Sequence, residues 1–301
     1  MSLTEQLNKH IEREPVIKPY TGPIPWIVPT IKLDGRTPAD GDYVLNLLLQ
    51  ALQSEDPERI NAFETQWYDL ADAIIPSKTG LVKLQKDSPF IKGIQGVLEN
   101  QVAIDAEALA QGITDTQHFP VTDSVEATYL KDGQKQTHQV ENVVLLPYDG
   151  SSIHLTTPQF DAVSAEPVRR KDMILDRDLT QEEITQHPLW KQYSVDLEAL
   201  AQEVAKHTER ERNMGMYVPS TPQEGAEIRA ACLIRLDGCS RLIGYVHLGG
   251  GDACLLGVVN VAEGDANFGP YTDTIQAIIN GESFIQTHHG TYGLLKQSPT
   301  S

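Results

Sequence analysis

Short turn signals built on aspartate and glycine, each set between two apolar runs, constrain this chain more than any other feature. They occur at Lys131-Asp-Gly133, Tyr148-Asp-Gly150, Asp237-Gly238 and Gly249-Gly-Gly-Asp252. Asp and Gly tolerate the left-handed backbone of a tight hairpin, so each signal reads as a turn between antiparallel strands. The spacing predicts a meander over about 121–157, from the runs Val125 to Leu130, Thr137 to Leu146 and Ser151 to Thr157. A second is predicted over about 227–261, from Glu227 to Leu236, Ser240 to Leu248 and Ala253 to Val261, with a returning strand from Ser283 to His289.

Around these hairpins the apolar spacing changes to the helical period. Helix groups are expected over about 41–75, 97–111, 181–212 and 270–280. Within the first group, Asp56 reads as a cap, Pro57 as a first helical residue and Pro76 as a stop, so one helix is expected over 57–75. Its Ile60, Phe63, Trp67, Leu70 and Ile74 form a single stripe, which predicts a buried Trp67. Thr180 and Glu183 have capping-box spacing, and Leu197, Leu200, Ala201 and Val204 share one helical face. Helix groups that alternate with antiparallel hairpins define an α+β fold rather than a doubly wound sheet. Three segments result: 1–34 (a polar helix and an apolar arm), 35–120 (mainly helical) and 121–301 (α+β). Together they fit one compact domain.

The arm carries Pro15, Pro19, Pro23, Pro25 and Pro29. Proline fixes φ and lacks an amide donor, which predicts an extended segment that is neither a helix nor a central strand. Tyr20, Ile24, Trp26, Ile27 and Val28 give it more apolar surface than a solvated linker bears, so something must cover them. The cover is either the chain's own domain or a second chain. The function expected from this pattern is a binding or assembly protein that self-associates through the arm, as a homo-oligomer or with a protein partner.

Charge narrows the partners. The 301 residues include 24 Lys and Arg against 42 Asp and Glu, a formal charge of -18 that repels phosphate backbones and anionic lipid. The densest basic runs, Arg169-Arg170-Lys171 and Arg210-Glu211-Arg212, sit beside Asp172, Asp176 and Glu209 and read as solvated charge. No nucleic acid partner is expected. The amino terminus lacks a basic region followed by an apolar one, and no apolar run approaches the roughly 20 residues of a membrane span. Three cysteines, Cys232, Cys239 and Cys254, make a poor disulfide framework. A cytoplasmic, reducing location is expected.

Motifs for phosphate loops, dinucleotide binding, zinc proteases and serine hydrolases are absent. The second predicted meander gathers Cys232, His247, Cys254, His288 and His289. A loop at 249–252 places His247 opposite Cys254, about 5 Å apart on one face. Cys232 is expected to pair near Ile243 or Gly244, roughly 13 Å along the ladder and out of reach. With His288 or His289 as a third ligand, the set would take zinc. The alternative function is therefore an enzyme using His247 and Cys254, either a metal-assisted hydrolase or lyase or a thiol-dependent catalyst. Asp176 and Asp178, with Glu182 or Glu183, form a second candidate cation site.

Overall fold

A computed structural model describes residues 17–233, 236, 240–244, 248–251, 253–259, 284–286 and 292–294. The described chain begins as β1 (Ile17–Thr21) and turns at once into α1 (Ile24–Leu33). The extended expectation thus holds for β1, which lies at the end of the sheet order beside the strand Cys254–Val259, and is corrected over Ile24–Leu33, which is helical. Pro25 lies in the first turn, where its missing N–H is not needed, and only Pro29 is internal. Burial of Ile24, Ile27, Val28 and Ile31, at about 1.5–3 kcal/mol each, outweighs the ~3 kcal/mol cost of one internal proline.

Gly35, at φ 69°, ends that helix and leads into β2 (Arg36–Pro38). Next comes α2 (Gly41–Ser54), capped by Asp40, whose carboxylate accepts the Tyr43 N–H at 2.8 Å. Asp56 caps α3 (Pro57–Thr65) as expected, with Pro57 in the first turn. Beyond it the helical expectation fails: Tyr68 to Pro76 form β3, buried at every residue. The run Leu70-Ala-Asp-Ala-Ile-Ile75 is apolar on both faces, as a central strand is, and Leu70 and Ile74 match a helical stripe only by coincidence. Trp67 falls between the two elements and is 42% exposed.

After β4 (Leu81–Gln85) and α4 (Pro89–Lys92), β5 (Ile94–Leu98) and β6 (Gln101–Asp105) form a hairpin, and only α5 (Ala106–Ala110) is helical. The helix expected over 97–111 is corrected accordingly. The pair β7 (Val121–Lys131) and β8 (Gln134–Pro147) turns at Asp132 and Gly133, both with positive φ, as their sequence demands. Strands β5, β6, β8 and β7 close into a small barrel.

The remaining elements are β9 (Ile153–Leu155), α6 (Thr157–Ala162), β10 (Pro167–Arg169), β11 (Asp178–Leu179), α7 (Gln181–Gln186) and α8 (Leu197–Thr208), followed by β12 (Met214–Tyr217), β13 (Ala226–Leu233), β14 (Ser240–Ile243) and β15 (Cys254–Val259). A separate pair, β16 (Phe284–Gln286) and β17 (Tyr292–Leu294), completes the described chain. Thr180 and Glu183 form both bonds of the capping box of α7. The expected helix at 270–280 lies outside the described residues.

The main sheet runs β1-β15-β3-β13-β14-β12-β11, with β2 also on β15, β4 on β3, β10 on β4 and β9 on β13. Neither predicted meander is continuous. β9 leaves β8 to pair with β13, and β15 lies between β1 and β3 rather than beside β14. The β13–β14 register is the expected one, with Cys232 opposite Ile243. β15 is displaced because both its faces are apolar. Cys254, Leu256 and Val258 join one core and Leu255 the other, which suits a strand with neighbours on both sides.

The fold is α+β, and its sheet separates two cores. On one side Leu70, Ile74, Ala231 and Leu233 pack with α2, α7 and α8; on the other Ala73, Ile75, Ile228 and Ala230 pack with α1 and the barrel. Among the described residues no helix is long and apolar enough to cross a membrane.

Candidate functional site: a cationic cleft

Where α1, β2, α4 and α5 meet, the surface opens into a cleft of about 680 Å³. Its charged lining is mostly basic: Lys32, Arg36, Lys86 and Lys92 against the single acid Asp87, with the neutral polar residues Thr37, Gln85, Gln111 and Ser164 beside them. Each cation is placed by backbone already described. Lys32 stands in the last turn of α1, Arg36 opens β2, Lys86 follows β4, and Lys92 ends α4. The α5 side approaches closely because residue 112 is glycine; a Cβ there would lie 2.2 Å from Pro89 Cγ. Gln85 Nε2 donates to the Gly112 carbonyl at 2.7 Å and fixes that approach.

Two buried ionisable groups brace the walls. Lys83, 5% exposed, donates to the carbonyls of Phe160 (2.9 Å), Asp161 (3.3 Å) and Val163 (2.7 Å), filling the acceptors left open at the end of α6. Burial lowers its pKa, and the Asp161 charge opposes that shift. Lys83→Met is expected to cost about 2–4 kcal/mol in urea unfolding, because it leaves buried carbonyls without a donor. A change below about 0.5 kcal/mol, the range of ordinary surface substitutions, would show that the bracing is dispensable.

Asp72 of β3 is the second brace. Its carboxyl accepts the N–H of Gly41 at 3.0 Å and of Asp87 at 2.9 Å, and so pins the Lys86–Asp87 corner from behind. Burial, reinforced by the Asp40 charge, pushes its pKa up to about 7. Within the cleft, Lys86 pairs with Asp42 at 2.7 Å and Lys92 with Asp87. Lys32 has no ion-pair partner among the described residues. Burial lowers its pKa, Asp105 opposes the shift, and the Lys92 charge adds to it.

Of the site expected from the sequence, only Cys254 falls among the described residues. His247, His288 and His289 lie outside the described residues, and with them the third ligand of the zinc expectation. β14 and β15 are not neighbours, and the stretch that would carry His247 into pairing with Cys254 lies outside the described residues. Cys254 is buried in the helical core, and its N–H donates to Asp69 Oδ2 at 2.8 Å. Burial, with the Asp69 charge beside it, pushes the thiol up to about 11, the opposite of what a thiolate nucleophile needs. Among the described residues no three His, Cys, Asp or Glu side chains converge as metal ligands. Glu183 is engaged by Arg177 and Arg212, which removes it from the proposed Asp176 and Asp178 set.

Of the arm residues expected to meet a partner, Tyr20, Ile24, Ile27 and Val28 are buried within this chain. Trp26 is half-buried, with the Lys135 ammonium 4.5 Å from its ring centre. The basic runs read as solvated charge are indeed paired locally, Arg169 with Asp172 and Arg170 with Asp176. Sequence reasoning missed the cleft because its cations come in separate pairs, 32 with 36 and 86 with 92, and no spacing rule joins them. Compared with models of known families, with curated proteins and with solved structures, the chain has no match.

Proposed function

We propose that this is a binding protein whose ligand is a small anion held in the cleft lined by Lys32, Arg36, Lys86 and Lys92. The inversion of charge supports this reading. A chain with 24 basic and 42 acidic residues has gathered four basic side chains around one hollow, against a single acid. Like charges brought together in a partly desolvated cleft repel one another, and an anion relieves that repulsion. The volume is that of ordinary small-molecule sites, and Thr37, Gln85, Gln111 and Ser164 supply neutral hydrogen-bonding groups for orientation. Self-association through Tyr20, Ile24, Trp26, Ile27 and Val28 loses its premise, since this chain covers most of that surface itself.

Calorimetric titration with inorganic phosphate, and separately with pyruvate, tests the proposal. Saturable binding that weakens as salt is added is the expected result. Replacing both Lys86 and Lys92 by Gln is expected to reduce affinity about 10- to 100-fold, the range for losing one charged hydrogen bond. No binding of either probe up to ~10 mM, or binding indifferent to those substitutions, would remove the reading.

A further inference from the structure

Lys32 differs from the other cations of the cleft. Lys86 and Lys92 are each held by a carboxylate, and Arg36 is buried with a guanidinium that stays charged at any relevant pH. Lys32 is half-buried and has no such carboxylate. It projects from the last turn of α1 at the boundary of two hollows, the cleft and a second one lined by Asp105, His138 and Glu141. A lysine required only to attract an anion gains by staying hydrated and charged. Partial burial, with the Lys92 charge beside it, disfavours the ammonium more than Asp105 favours it, which suits an amine that must give up its proton to react. Arg36, Lys86 and Lys92 line the same cleft and can hold the acidic end of a ligand whose other end reaches Lys32.

We infer that Lys32 is an amine nucleophile that forms an imine with the carbonyl carbon of an anionic aldehyde or ketone, of which a 2-oxo acid is the simplest. The inference rests on the cleft taking anions, as proposed above. The neutral Nζ adds to the carbonyl carbon, forming a C–N bond and placing the electron pair of C=O on oxygen. Two protons leave nitrogen in all, the oxygen departs as water, and the product is a C=N bond with no change in oxidation state. Uptake of one proton gives the iminium ion, an electron sink for the carbon beside it.

The test uses the intact chain, pyruvate and cyanoborohydride, which reduces an iminium to a stable secondary amine, followed by proteolysis and mass mapping. Lys32 is expected to be labelled faster than exposed Lys78 and Lys206, since the free amine is the reactive form and partial burial favours it at Lys32 alone of the three. Labelling should saturate with pyruvate, slow when inorganic phosphate is added, and show no preference for Lys32 when neutral acetone replaces pyruvate. In Lys32→Arg, whose guanidinium stays protonated, the fast-labelled fraction should disappear while Lys78 and Lys206 label as before. Labelling of Lys32 no faster than Lys78 in the unaltered protein overturns the inference whether or not the variant folds. Phosphate binding without Lys32 labelling removes the imine and leaves the anion cleft standing; absence of both removes the cleft reading beneath it. Acetone labelling Lys32 as fast as pyruvate overturns the requirement for an anionic ligand.

Discussion

Between about pH 4 and pH 8, Asp72→Asn is expected to gain up to about 4 kcal/mol of stability relative to the unaltered protein. The Asp72 carboxyl, at 3.8 when free, is pushed up to about 7 by burial and by the Asp40 charge. An acid raised in the folded state keeps its proton there while the unfolded chain releases it. Stability is therefore full below 3.8, falls by about 1.4 kcal/mol per unit as pH rises, and levels off above 7. Asn stays neutral throughout and escapes that loss, apart from about 1 kcal/mol for one backbone N–H left without an acceptor. The comparison between variants is essential because His187 titrates in the opposite sense. Burial pushes its imidazole down from 6.5 to about 4, so its contribution is present above 6.5 and is lost as pH falls towards 4. The two slopes oppose each other between 4 and 6.5, so the unaltered protein alone does not isolate the Asp72 contribution. Urea unfolding of both proteins at the two ends of the range checks this. Equal pH dependence in the two would mean that Asp72 is ionised in the fold throughout.

Trp190→Ala is expected to be the most damaging single truncation, at about 3–5 kcal/mol, while Trp67→Ala costs less than about 1 kcal/mol. Trp190 is fully buried in the helical core, with its ring centre 6.0 Å from that of Tyr193, whereas Trp67 is 42% exposed. Its indole nitrogen makes no hydrogen bond among the described residues, so Trp190→Phe gives up ring volume but no polar contact. That variant should retain more than half of what the alanine variant loses. Thermal unfolding of the three variants decides the order, and a larger loss at Trp67 than at Trp190 would place the core on the wrong face.

The sequence carried local signals faithfully and long-range ones poorly. Asp56 with Pro57, Thr180 with Glu183, and Asp132 with Gly133 act within a few residues, and each forms the cap or turn that its chemistry requires. Two-sided burial misled it. In β3 and β15 both faces are apolar, so neither strict alternation nor a single helical stripe exists to be read. The same effect separates β15 from β14, which the expected meander had placed side by side. Proline misled in the other direction: in α1 a first-turn position and four buried aliphatic side chains outweigh what proline density implies. The cationic cleft was illegible for another reason. Its charges meet only when α1 and α4 are folded against the sheet, and nothing within either segment marks them as partners.

The shared sheet also decides where this chain can change in length. Along β3, Leu70 and Ile74 serve the helical core while Ala73 and Ile75 serve the barrel side. Inserting or deleting one residue there exchanges the two sets, so that large side chains press into the space of small ones on both sides at once and Asp72 turns away from Gly41 and Asp87. The tip at Asp132 and Gly133 faces no such demand, because a Cβ at Gly133 would meet nothing within 4 Å. An insertion in this chain is therefore far better tolerated at the tip of the barrel hairpin than in the strands between the two cores, whose residue count is fixed even where a side chain could be exchanged for another of similar size.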